Sequence, residues 1–308
     1  MIKEFLNNFD VTAHLELWLL STFLLALFIA YRSYGPIMYI AIKKHLMDKP
    51  DDRSVHTNST PTLGGVGIYI SLVLVICLAG VVLNSKSLLV LAGGLNILFF
   101  LGLKDDLLVL SARKKFLGQL IASFLFVTIT DIRIRGFSNI FSVEVLPYWV
   151  SIGFTVFVFI LIINAYNLID GIDGLAGSIA LLASLVFGWL FYRVNYIGSA
   201  TLTAALAGAL LPFLRLNASK KNKIFMGDTG SLIVGFMLAV FAVSYISYVQ
   251  SNTPIGAKDS SPLIALSILF FPLMDTLRIF FVRIFIYKTS PFLADKNHIH
   301  HRLLDLGY

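Results

Sequence analysis

Cysteine is nearly absent from this sequence: Cys77 is the only one in 308 residues. It cannot form an intramolecular disulfide, and without a CxxC or Cys/His pattern no zinc ribbon is expected. Charge is scarce too. Charged residues make up 13% of the chain, roughly half the share of a soluble domain. Apolar residues fill the space, at 57% of the chain and in long unbroken runs, which marks a membrane fold rather than a rich soluble core. The formal charge of +7 does not point to nucleic acid, because no basic face survives once those runs are set aside. Basic residues flanking membrane spans are its ordinary source. The N-terminus does not read as a secretory leader: its apolar run is too long and no small-residue cleavage site follows.

Runs long enough to cross the hydrocarbon, roughly 17–25 residues each, lie near 15–42, 62–83, 87–103, 116–132, 148–168, 174–194, 198–214, 231–250 and 262–286. They predict an all-α, polytopic transmembrane helix bundle of about nine spans, one integral membrane domain over 1–308. The first run is interrupted by Arg32 and Gly35-Pro36, so it can project from the membrane. The run at 198–214 is short and glycine-rich, as a helix packed inside a bundle can be.

Laid out alternately, the connections 43–61, 104–115, 165–173, 215–230 and 287–308 fall on one side and carry most of the Lys and Arg. The N-terminus and 84–86, 133–147, 195–197 and 251–261 fall on the other and carry few. The positive-inside rule makes the first side cytoplasmic and the N-terminus external. That same side holds Asp48, Arg53, His56, Asp105, Asp106, Asp170, Asp173, Asp228, His298, His300 and His301. Ionisable groups against apolar spans mark function by default.

Five motifs organise these residues. Asp105-Asp106 closes the third span, and two adjacent acids at a membrane edge ionise together only with a cation between them or with split pKa values. Lys115, ten residues on at the head of the next span, is placed to meet an anionic headgroup or simply to anchor the span. In NAYNLIDGIDGLAG, residues 164–177, Asn164, Asn167, Asp170 and Asp173 recur every three residues, one polar stripe if the segment is helical. Gly171, Gly174 and Gly177 let the backbone unwind and a ligand come close. FMGDTGS, residues 225–231, sets Asp228 between glycines just before a span. Thr229 or Ser231 can cap that helix, whose N-terminus would offer N–H groups to an anion, and Asp228 supplies the hard oxygen Mg²⁺ prefers. HIHHR, from His298 to Arg302, is a cationic cluster with Lys296 nearby, better suited to phosphate or proton transfer than to zinc. PTLGG, residues 61–65, puts Gly64-Gly65 at the start of a span, where they permit close packing.

In this order, over nearly the whole chain, these motifs resemble the polyprenyl-phosphate N-acetylhexosamine-1-phosphate transferase family. HIHHR with DTLR at 275–278 is similar to its WecA/TagO branch, related to MraY, whose last motif is richer in histidine. The resemblance implies an enzyme that moves a sugar 1-phosphate, GlcNAc-1-phosphate first among the choices, from a UDP-N-acetylamino sugar to undecaprenyl or another polyprenyl phosphate. UMP and polyprenyl-diphospho-sugar form, the start of O-antigen, common-antigen or teichoic-acid linkage chains. It implies Mg²⁺, or Mn²⁺, and a bacterial cytoplasmic membrane; a homodimer is one assembly open to it.

Residue roles follow by position. Asp228 matches the metal-binding aspartate, and Asn167 a second metal or pyrophosphate contact. Phe225 matches the aromatic that stacks on uracil, while Gly171, Ile172 and Asp173 match the group that reads its edge. Asp170 lies at the nucleotide-sugar pocket. Asp105 and Asp106 match the essential acid pair, as base for the lipid phosphate or as metal positioners, and Lys115 a holder of that phosphate. His300 and His301, with His298 and Arg302, would grip the diphosphate. The family usually continues past its histidine motif into at least one more span, and since the sequence given stops at Tyr308, that last family span is expected to be absent from it. MraY proper and a secondary transporter are the alternatives. A transporter predicts midplane charges and an internal repeat, whereas these acids sit at span ends.

Overall fold

The computed structural model describes residues 11–48, 60–137, 145–252, 260–281 and 285. Within them lie ten helices: α1 (Leu15–Lys43), α2 (Gly64–Val82), α3 (Lys86–Leu108), α4 (Ala112–Thr130), α5 (Tyr148–Ile169), α6 (Leu175–Arg193), α7 (Ile197–Asn217), α8 (Gly227–Asn252), α9 (Ser261–Ile268) and α10 (Phe270–Phe281). One two-residue antiparallel ladder joins β1 (Met47–Asp48) to β2 (Thr60–Pro61), with Met47 opposite Pro61.

Among the described residues, all nine expected runs fall on helix. Seven helices are long and apolar enough to span a membrane. The run at 262–286 is instead a pair, α9 and α10, bent by 76°. The run at 116–132 lies in α4, which is not among the seven: its first turn carries Arg113, Lys114 and Lys115, and Gln119 and Ser123 follow. α1 continues as one helix through Arg32, Gly35 and Pro36 for 29 residues.

α8 is the axis of the bundle. Every residue from Thr229 to Ser247 is buried, as expected of a helix apolar on all sides. α2, α3, α5, α6 and α9 pack on it, and α1 packs outside on α2 and α7. Lipid gives helices little hydrophobic reason to associate, so small residues set the contacts. A Cβ on Gly208 of α7 would strike the Phe23 carbonyl of α1, and one on Gly235 of α8 would come 3.0 Å from Ile163 Cα of α5. Leu17, Leu20, Leu24 and Phe28 of α1 are exposed, which in lipid costs nothing.

At one end of the bundle, Arg133 Nε and Arg135 Nη2 hold Asp131 at 2.8 and 3.1 Å. Arg133 also reaches Ser151 Oγ at 2.8 Å, and the Arg135 N–H donates to Gln250 Oε1 at 2.8 Å. The start of α5 and the end of α8 are thereby tied together. The opposite end, where α3 and α5 finish and α4, α6 and α8 begin, gathers the acids.

Candidate active site

Two backbones come together first. Phe225 N–H donates to the Pro61 carbonyl (2.8 Å), Gly64 N–H to the Phe225 carbonyl and Gly65 N–H to the Met226 carbonyl (2.9 Å each). The PTLGG and FMGD segments thus run side by side, joined by three backbone hydrogen bonds, into two helix starts. The approach requires glycine: a Cβ on Gly65 would overlap Gly230 N and Cα, and one on Gly64 would meet the Phe225 carbonyl. The close packing expected of this glycine pair is what the structure has. Tyr34 of α1 donates to the Gly64 carbonyl at 3.2 Å, a contact without a sequence signal.

This pairing fixes the first turn of α8 and so Asp228. Asp228 Oδ2 lies 3.0 Å from Lys115 Nζ. The same ammonium forms an ion pair with Asp105, whose other oxygen accepts from Leu110 N–H at 2.5 Å. Asp228 Oδ1 accepts from Asn167 Nδ2 at 2.6 Å, and that nitrogen also donates to Ser231 Oγ at 2.7 Å. Asp106 meets the start of α8 through backbone: Oδ1 accepts from Asp228 N–H (2.7 Å), and Oδ2 from Thr229 N–H (3.0 Å) and Thr229 Oγ (2.5 Å).

Two expectations are corrected here. The N-terminus of α8 does not offer the N–H groups of Asp228 and Thr229 to a ligand anion, because a carboxylate of the protein already takes them. Thr229 and Ser231 do not cap the helix either: Thr229 donates to Asp106 and Ser231 accepts from Asn167.

The 164–173 stripe is also divided. α5 ends at Ile169, so only Asn164 and Asn167 share its face. Asn164 pairs with Gln119 of α4 at 2.7 Å, away from Asp228. Asp170 follows the helix, and Gly174, at φ 75°, turns the chain into α6. Burial pushes the Asp170 carboxyl up to about 7, and the charges of Asp228, Asp106 and Asp173 add to the shift. Asn217 Oδ1 accepts from Gly174 N–H at 2.5 Å while its Nδ2 donates to the Ile224 carbonyl at 2.9 Å. It therefore links the Gly171–Gly174 turn to the approach to Phe225. Asp173 pairs with Lys223 Nζ at 2.5 Å, and Lys223 lies 5.0 Å above the Phe225 ring. Lys223, Asn217 and Tyr34 are the residues sequence reading missed. Lys223 had a signal, two residues before FMGD in a basic loop; Asn217 and Tyr34 had none.

Asp105, Asp106, Lys115, Asn167, Asp170 and Asp228 are therefore gathered at one end, and Asp173 with Phe225 forms a neighbouring group through Lys223. Gly171 and Ile172 lie in the turn between Asp170 and Asp173. His298, His300, His301 and Arg302 lie outside the described residues.

A divalent ion can be tested against this donor set. Among the described residues no three His, Cys, Asp or Glu side chains group to hold a metal. Asp228, with the amide of Asn167 beside it, gives few but hard oxygen donors, and Lys115, now on the same carboxylate, would have to yield its oxygen to an ion there. This fits Mg²⁺, which binds through one or two carboxylates and completes its shell with waters and substrate phosphates. It does not fit a closed protein cage.

The fold and the site together define a class: a multi-pass helical membrane protein with carboxylates gathered around one lysine at one bundle end. Comparison with known proteins agrees. The model of glycosyl transferase family 4 matches residues 88–246. A decaprenyl-phosphate N-acetylglucosaminephosphotransferase of Mycobacterium tuberculosis is 33% identical over 92% of this chain and 75% of its own length. Its counterpart of the same name in Mycolicibacterium smegmatis is 34% identical over the same shares. An undecaprenyl-phosphate alpha-N-acetylglucosaminyl 1-phosphate transferase of Yersinia pestis is 29% identical over 87% of this chain and 72% of its own. The chain belongs to glycosyl transferase family 4, among polyprenyl-phosphate N-acetylhexosamine-1-phosphate transferases of the WecA type.

Proposed function

We propose that this protein transfers N-acetylglucosamine 1-phosphate from UDP-N-acetylglucosamine to a polyprenyl phosphate, releasing UMP. An ionised oxygen of the lipid phosphate attacks the sugar-bearing phosphorus of the nucleotide. A new phosphoanhydride forms, and the bond to the uridine-bearing phosphate breaks with its electron pair leaving on UMP. The lipid phosphate is already anionic at neutral pH, so the step needs charge neutralisation and alignment more than a base.

The observation that carries this reading is Lys115 held between Asp105 and Asp228: a cation among carboxylates, ready to exchange them for phosphate oxygens. Asp228 and the Asn167 amide oxygen would hold Mg²⁺, or Mn²⁺, which when bound neutralises and polarises phosphate oxygens. Lys115 would face the lipid phosphate. Phe225, Asp173 and the Gly171–Ile172 backbone would receive the uridine, with Lys223 shifting from the Phe225 face. His298, His300, His301 and Arg302 would hold the diphosphate. The names of the relatives support N-acetylglucosamine as the sugar. The basic connections at this end support a cytoplasmic site in a bacterial inner membrane, where a soluble nucleotide can meet a lipid.

The test is UMP release by the purified protein from UDP-N-acetylglucosamine, undecaprenyl phosphate and Mg²⁺. UMP that requires both lipid and metal supports the reading. Lipid-independent UMP, or none with any UDP-N-acetylamino sugar, overturns it.

A further inference from the structure

The two adjacent acids Asp105 and Asp106 do different work. Asp105 meets Lys115, but the hydrogen-bond partners of Asp106 belong to the first turn of α8. A helix start leaves N–H groups without intrahelical acceptors. Asp228 cannot serve them, since its own carboxylate is held by Lys115 and Asn167. Asp106, from α3, accepts from the backbone of Asp228 at 2.7 Å and from both donors of Thr229 at 3.0 and 2.5 Å. Those bonds use three of roughly four lone-pair directions of a carboxylate, leaving little for a metal.

The backbone is shaped around this contact. Gly227 sits at φ 69°, and a Cβ there would come 2.8–2.9 Å from the Asp106 oxygens. A Cβ on Gly102 would come 2.5 Å from Thr229 Cα, so α3 lies directly on the start of α8. Gly102 and Asp106, four residues apart, share one face of α3. The charge of Asp106 also complements the positive end of the α8 dipole.

We propose that Asp106 is a positioning residue: it caps α8 from α3 and acts by fixing Asp228, touching neither substrate nor metal. The catalytic arm of the test rests on the transferase reading; the structural arm does not.

Asn ranks with Asp as a helix cap and Ala far below, so Asp106→Asn and Asp106→Ala separate the roles. In the full chain, Asp106→Asn keeps UMP release within about tenfold of wild type, one cap-sized perturbation. Its half-saturating Mg²⁺ is unchanged. Asp106→Ala loses about 100-fold or more as several charge-assisted bonds go, and needs more Mg²⁺. If Asp106 were a metal ligand, both variants would need more Mg²⁺ and both would fail. If it were a base, both would fail with the Mg²⁺ requirement unchanged. Either pattern overturns the proposal, and the Asn variant alone decides it should the Ala variant not fold. Amide hydrogen exchange across residues 225–231 gives a readout without turnover. Faster exchange in either variant, larger in Ala, supports the cap, and exchange equal to wild type in both overturns it. Absence of UMP from wild type would count against the transferase reading and leave exchange to decide the cap.

Discussion

Lys115 of α4 and Asp228 of α8, 113 residues apart in sequence, meet at 3.0 Å, and Asp105 of α3 closes on the same ammonium. Two consecutive helices and a third far along the chain are joined by one cation. Lys115→Met leaves Asp105, 3% exposed, and Asp228, 29% exposed, without it. The cost is about 2 kcal/mol, less than for a deeply buried pair because water reaches two of the three groups. The melting temperature in detergent falls by several degrees, and adding Asp105→Asn recovers part of it. UMP release falls about 100-fold, as when one stabilising donor is lost. An unchanged melt would contradict the structural half of this prediction.

Gly65→Ala prevents folding or activity, because the new methyl overlaps the backbone of Gly230. Gly93→Ala, also helical but with nothing within 4 Å of its Cβ, is neutral or stabilises by up to about 1 kcal/mol through helix propensity. Yield of monodisperse protein and melting temperature compare the two.

The helices were legible because lipid demands long apolar runs, and the acids because charge stands out against them. What joins them was not. Asp106 reaches Asp228 across 122 residues, and nothing in a Gly-Asp-Thr-Gly segment says its helix start is already occupied. The 164–173 period suggested one helical stripe, but an unwinding after Ile169 split it. PTLGG was readable as close packing, though not as the backbone hydrogen-bond partner of Phe225 and Met226.

Asp170 makes stability depend on pH. Its folded-state pKa, about 7, lies above the ordinary aspartate range, so the folded protein holds the proton more tightly than the unfolded chain. That stabilisation is complete below about pH 4 and is lost as pH rises through about 7. Asp170→Asn, neutral throughout, melts higher than wild type at pH 8 without metal or nucleotide, and the difference shrinks towards pH 5. Parallel melts of the two proteins would contradict this.

Lys223→Ala removes the partner of Asp173 and uncovers one face of Phe225. If the two residues hold uridine in ground and transition state alike, KM for the UDP-sugar changes about tenfold while kcat stays near wild type. Steady-state kinetics with lipid saturating measure this; a fall in kcat alone would place Lys223 at the reacting phosphates instead.

The central claim is that the sugar and its phosphate move together onto the lipid. UDP-N-acetylglucosamine labelled on the sugar-bearing phosphorus and, with a second isotope, on the sugar tests this most directly. Both labels are predicted to enter the organic-extractable lipid in equal amounts, matched by UMP in the aqueous phase. Sugar label in the lipid without the phosphorus label, or UDP in place of UMP, would contradict it.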